Sequence, residues 1–117
     1  MRKVLVLVLL ALPISVQQSL ADDEVTAESI ARGKVIAFER GRGNCLACHA
    51  IEGGELMGNY GPPLLLMKVR YPDRADLRSQ IWDASIKEPL TRMPPYGRHR
   101  ILSEEEIDLV VDFIYTL

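Results

Sequence analysis

Cys45-Leu46-Ala47-Cys48-His49 is the stretch whose residue types and spacing carry the most chemistry. Two thiols three apart, followed at once by a histidine, form the attachment signature of a c-type haem. On one helical turn, residues three apart share a face. Both sulfurs can therefore reach the two vinyl groups on one edge of a porphyrin, while His49 offers an imidazole nitrogen to the iron. Other chemistries of the same residues fit less well. Structural zinc wants four N or S ligands, commonly in two separated pairs, whereas this chain has only two cysteines and two histidines. A thioredoxin-type Cys-x-x-Cys belongs to a βαβ unit, and no such alternation is visible. A disulfide across so small a loop would add little stability.

Iron held by one histidine has an opposite position to fill, and Met57, Met67, Met93 and His99 are the candidates. Met57 follows His49 closely and is expected on the histidine side of the ring. Met67 ends an apolar run, where methionine is commonly core filling. Met93 opens Met93-Pro94-Pro95-Tyr96-Gly97. The two prolines fix φ and remove two amide donors, and a pre-proline residue is biased to extended backbone. The product is a stiff, non-helical loop able to hold a thioether, so Met93 is the expected sixth ligand. His99 sits between Arg98 and Arg100 and reads as a surface residue in a basic patch. Thioether ligation raises the reduction potential and fills the coordination site. That favours electron transfer over small-molecule activation, and no catalytic residue is assigned. A ligating histidine donates its other ring N–H, often to a carbonyl; Gly61-Pro62-Pro63-Leu64 is a source for one, with a plain rigid turn as the alternative.

The elements that must position these residues are legible in part. Thr26 reads as the N-cap of a helix over about Ala27–Glu39, with Glu28 in its first turn. Ile30, Ala31, Val35 and Phe38 recur at helical spacing, and Gly41 and Gly43 end it. A second helix opens at Asp73, after Pro72, and reaches about Ala84 or Ser85, with Leu77, Ile81 and Trp82 on its inner face. Ser103-Glu104-Glu105-Glu106 is a capping box for a third. Its stripe of Ile107, Val110, Val111 and Ile114 runs to the end of the chain. Glycine- and proline-rich loops lie between, and Leu64–Met67 reads equally as short helix or turn. An all-α fold of the class I cytochrome c type, three to four helices around one covalent haem, is the consistent expectation.

Arg2 and Lys3 precede an unbroken apolar run, Val4–Leu12, and Ser19-Leu20-Ala21 is a small-x-small cleavage signal. This is the layout of a secretory signal peptide, residues 1–21. The apolar run is too short for a spanning helix, which needs about 20 residues. The expected mature domain, residues 22–117, carries no membrane span and is periplasmic. Without Arg2 and Lys3 the 14 basic residues become 12 against 16 acidic, a net charge of −4. An acidic balance argues against nucleic acid as a partner. About 96 residues support one domain and one core. At that size the haem-free chain is expected to fold poorly.

The chain resembles class I cytochromes c and, more narrowly, the SoxX family, the small monohaem subunits of SoxAX cytochromes in bacterial sulfur oxidation. The resemblance runs from Gly33 to Leu117. It is carried by Gly43-Asn44-Cys45-Leu46-Ala47-Cys48-His49-Ala50-Ile51, Gly58-Asn59-Tyr60-Gly61-Pro62-Pro63-Leu64 and Tyr71-Pro72-Asp73-Arg74. Gln80-Ile81-Trp82-Asp83-Ala84, Met93-Pro94-Pro95-Tyr96-Gly97 and the run from Glu106 to Tyr115 complete it. It implies thioether attachment at Cys45 and Cys48, axial ligation by His49 and Met93, and a proline carbonyl behind the histidine. It also implies a SoxA-type cytochrome partner in a heterodimer, transient contact with the SoxYZ carrier, and a downstream electron acceptor. The complex, an L-cysteine S-thiosulfotransferase, couples thiosulfate oxidatively to a cysteine of SoxYZ. Both cysteines of this chain are consumed by haem, so the sulfur chemistry is expected on SoxA and this subunit transfers electrons. The alternative is a free, diffusible periplasmic electron carrier.

Overall fold

The computed structural model describes residues 24–117, and the expected leader, with its cleavage after Ala21, lies outside them. Four α-helices follow one another: α1 (Ala27–Phe38), α2 (Met67–Arg70), α3 (Arg74–Trp82) and α4 (Glu104–Ile114). Two 3₁₀ turns, Cys45–Ala47 and Ala84–Ile86, are interposed, and the described residues contain no strand. None of these helices is long and apolar enough to cross a membrane.

The first helix starts where expected. Thr26 accepts a hydrogen bond from the Ser29 amide while Ser29 reaches back to the Thr26 amide, a reciprocal cap that satisfies two otherwise orphaned donors. Its inner face, however, is not the anticipated stripe. Val35 is 63% exposed, whereas Gly33, Ile36 and Ala37 are buried. The crossing with α4 selects that face. A Cβ at Gly33 would lie 1.8 Å from the Leu109 carbonyl oxygen, so only glycine lets the two backbones meet there. Phe38 and Phe113 close the same interface edge to face, ring centroids 5.7 Å apart. The helix ends because Glu39 turns extended, with no glycine cap, and the chain then folds back so that the Gly43 amide donates to the Ile36 carbonyl at 3.1 Å.

Asp73 caps α3 through the Ala75 amide at 2.8 Å. That helix stops at Trp82, two to three residues short of the expected end, because Asp83 is extended and turns its carboxylate onto the Ser85 amide and hydroxyl. Asp83 is 3% exposed and also accepts from Arg98 Nε at 3.0 Å. The Ser85 hydroxyl and amide, with Arg98 behind them, hold its carboxyl below the usual carboxylate range despite burial. Helix α4 has the expected Ser103–Glu106 box, and Ile107, Val110, Val111 and Ile114 are all buried. It ends at Ile114, three residues before the last residue. The undecided Leu64–Met67 segment resolves into a turn, with Leu66 at φ 52, followed by the single helical turn of α2. Met67 is 1% exposed there, and its amide donates to the Leu117 carbonyl at 2.8 Å.

Ion pairs tie α3 to α4 along their outer edge. Arg78 Nε meets Asp108 at 2.6 Å and Arg78 Nη2 meets Glu104 at 2.7 Å, while Arg74 pairs with Asp112. Trp82 Nε1 donates to Glu104 at 2.9 Å. Core and edge together leave a hollow on the side of α3 and α4 that faces the Cys45 turn.

Candidate functional site

That hollow is a cavity of about 330 Å³, within the range of cofactor sites. Cys45, Cys48, His49 and Met93 all line it, and Leu77, Ile81, Val110 and Ile114 supply apolar wall. The cysteines sit on the 3₁₀ turn, entered through Asn44 at φ 49. With three residues per turn, that geometry eclipses side chains three apart, bringing both sulfurs to one edge more directly than an α-helical turn would. Backbone bonds from the Cys48 and His49 amides to the Cys45 carbonyl, 3.2 and 2.9 Å, hold the motif closed. Both thiols are free and half-buried. Burial pushes the Cys45 thiol up to about 11, opposite to what a nucleophilic or redox-active cysteine needs.

His49 Nδ1 lies 2.7 Å from the Pro62 carbonyl oxygen. A carbonyl only accepts, so Nδ1 carries the proton and Nε2 keeps its lone pair for a metal. The choice between the two prolines is thereby made: the Pro63 carbonyl faces elsewhere and accepts from Arg70 Nη1 at 2.9 Å. Gly61 packs against the same ring, where a Cβ would stand 2.4 Å from His49 Cε1.

The methionine candidates separate by position. Met57 is exposed, does not line the cavity, and its sulfur accepts from the Ile51 amide at 3.1 Å. His99 is exposed and also off the cavity. Met67 reaches the cavity from the core, with its sulfur 3.5 Å from Arg70 Nη1. Met93 reaches it from the proline loop, half-buried, with its amide donating to Thr91 Oγ1 at 3.2 Å. Among the described residues no group of three or more His, Cys, Asp or Glu is placed to hold a bare metal ion.

A covalent haem fits these residues. The two thiols share one edge of an apolar cavity, a histidine with its Nε2 lone pair free stands beside them, and a thioether lines the same space. Cys45 and Cys48 would attach it, and His49 and Met93 would ligate the iron, which supplies a reversible one-electron change when bound.

Some residues around the site drew no role from sequence reasoning. Tyr96, 8% exposed, lines the cavity and donates its hydroxyl to the Gly43 carbonyl. Burial pushes that hydroxyl well above the usual tyrosine value, so it remains a donor. Gly97 lies flat on Trp82, where a Cβ would be 2.0 Å from Cδ1. Arg92 covers the Tyr60 ring at 5.5 Å, and Tyr60 borders the cavity. The available signal was an aromatic and a glycine directly behind the double proline of a ligand loop.

No curated protein matches the chain significantly. A family model does, over residues 28–114, under the description cytochrome c oxidase, cbb3-type, subunit III. That span contains the haem motif, the Pro62 carbonyl and the Met93 loop. The match is to the haem-binding domain as a whole and carries nothing specific to SoxX. With its helical fold and haem-shaped site, the chain belongs to this family of class I cytochrome c domains.

Proposed function

We propose that this cytochrome domain is the electron-transfer subunit of a SoxAX-type complex, exported to the periplasm after removal of residues 1–21. The observation that carries electron transfer is that His49 and Met93 line one cavity with both attachment thiols. Two protein ligands leave no coordination position for substrate, so the iron changes charge without binding the molecule being oxidised. The SoxAX assignment rests on the resemblance of the segments around Tyr71-Pro72-Asp73-Arg74 and Met93-Pro94-Pro95-Tyr96-Gly97. In this reading a SoxA-type partner holds the sulfur chemistry. Electrons released when thiosulfate is joined to a SoxYZ cysteine pass through this chain to a downstream acceptor. Alone, the chain is not an enzyme.

The matched family's description names an oxidase subunit, which favours a second reading: a periplasmic carrier delivering electrons to a terminal oxidase. The same site serves both, and the partners differ.

Two measurements test the proposal. The purified holoprotein should show reversible one-electron redox and a weak near-infrared sulfur-to-iron band in the ferric state, lost in Met93→Ala. Retention of that band transfers the ligand role to Met67, the other methionine on the cavity. Thiosulfate coupling to SoxYZ should require added SoxA and fall when this chain is omitted. Coupling by this chain alone, or full coupling without it, refutes the SoxAX assignment and leaves the carrier reading.

A further inference from the structure

We propose that Tyr96 is a positioning residue for the axial methionine, its hydroxyl bracing the Met93 loop against the Gly43 carbonyl at the entrance to the haem-attachment turn. The inference rests on the ligand assignment made above and goes beyond it. Proline rigidity alone fixes the shape of a loop, but not where the loop sits relative to the rest of the protein. Something must anchor it, and the contacts on either side of Met93 identify the anchor.

On the N-terminal side the restraints are local. The Met93 amide meets the Thr91 hydroxyl, and the Thr91 amide meets the Glu88 carbonyl at 2.9 Å. On the C-terminal side the chain crosses the molecule. The Tyr96 ring is buried along the cavity, and its hydroxyl reaches Gly43, 53 residues earlier. Gly43 is itself clamped, because its amide is bonded to Ile36 and a Cβ there would meet the Ile36 carbonyl oxygen at 2.6 Å. It therefore presents a fixed acceptor, set by the end of α1, two residues before Cys45. The Tyr96 carbonyl is held as well, accepting from the Ile101 and Leu102 amides at 2.9 and 3.2 Å. The Gly97 amide bonds the Trp82 carbonyl at 3.0 Å, with the indole lying over the glycine. The brace thus spans the cavity from the thiol side to the thioether side. It fixes the distance between the two structures that must hold one haem.

The test is displacement of the thioether by added imidazole in the ferric holoprotein, followed by loss of the near-infrared band. Tyr96→Phe keeps the ring and removes only the hydroxyl. One net hydrogen bond corresponds to about a five-fold change in an equilibrium, so half-displacement should need about five-fold less imidazole than in wild type. Ile107→Val, a core truncation in α4 away from the cavity lining, controls for general loss of stability and should leave the imidazole midpoint within two-fold, as a rough bound. A wild-type midpoint in Tyr96→Phe, or a shift no larger than that of Ile107→Val, overturns the brace. If Tyr96→Phe does not accumulate as holoprotein, Trp82→Phe reads the same loop from the Gly97 side, and an unchanged midpoint there overturns it equally. Loss of the band in Met93→Ala confirms that the ligand being displaced is Met93; its retention defeats the ligand assignment, not the brace alone.

Discussion

Gly33→Ala should unfold this domain at markedly lower temperature, although alanine is the better helix former. The gain in propensity is about 1 kcal/mol. Against it stands the crossing with α4. The new Cβ would lie 1.8 Å from the Leu109 carbonyl oxygen and 2.6 Å from its carbon, while ordinary contact begins at 3.4 Å. The helices must part by about 1.6 Å at that point, and the obstruction is backbone, which has no rotamer to swing away. Overpacking of this kind costs about 1–3 kcal/mol and occasionally more. The separation would also pull apart the Phe38–Phe113 contact and the seats of Ile36 and Ala37. A net loss of about 2–3 kcal/mol follows, and in a domain of this size that is roughly a 10–20 °C fall in Tm. Thermal unfolding of the holoprotein by far-ultraviolet circular dichroism measures it, with Gly41→Ala as control because nothing lies within 4 Å of a Cβ there. A Gly33→Ala melt at or above wild type would show that propensity outweighs the crossing and would refute the packing argument.

Three further outcomes follow from the site and its supports. Gly61→Ala places a methyl 2.4 Å from the His49 ring and should displace the imidazole from the Pro62 carbonyl; a changed reduction potential with the haem still attached is the expected readout, and an unchanged potential counts against ring positioning by Gly61. Asp112→Ala strands Arg74, whose Nε is buried without a partner already, and should cost about 1–3 kcal/mol in a denaturant titration; a neutral result would mean the pair contributes nothing net. The Glu106 carboxyl is held below its ordinary 4.5, chiefly by the Ser103 amide and further by Arg42. The unfolded chain binds that proton more tightly, so its stabilisation is complete above about pH 4.5 and lost as pH falls through the depressed value. The stability difference between wild type and Glu106→Gln should therefore shrink on acidification below about pH 4.5, and a difference constant down to pH 3 would contradict the sign.

The site was more legible in the sequence than the packing that supports it, and the reason is physical. Ligand chemistry is local: Cys45, Cys48 and His49 declare themselves within five positions, and the prolines behind Met93 declare a rigid loop. Caps are local too, so Thr26, Asp73 and Ser103 were readable. A helix face is not. The apolar residues of α1 permit more than one stripe, and α4 chose Ile36 and Ala37 over Val35 because a glycine at position 33 lets the backbones touch. Asp83 likewise ends α3 early only because Ser85 and Arg98 converge on its carboxylate. Choosing Pro62 over Pro63 required knowing where Arg70 would spend its donor.

The glycines show where legibility stops. Gly33, Gly43, Gly61 and Gly97 would each bring a Cβ within 3 Å of another group: a helix backbone, a helix end, an imidazole and an indole. In sequence they resemble loop punctuation or a weak spot in a helix. In the fold each marks a place where two segments distant along the chain must come closer than a methyl group allows. Three of the four adjoin the elements that present Cys45, His49 and Met93, because a cofactor gripped from several loops at once needs those loops pressed together. The absence of a side chain at these positions positions the ligands as directly as the side chains that touch the cavity.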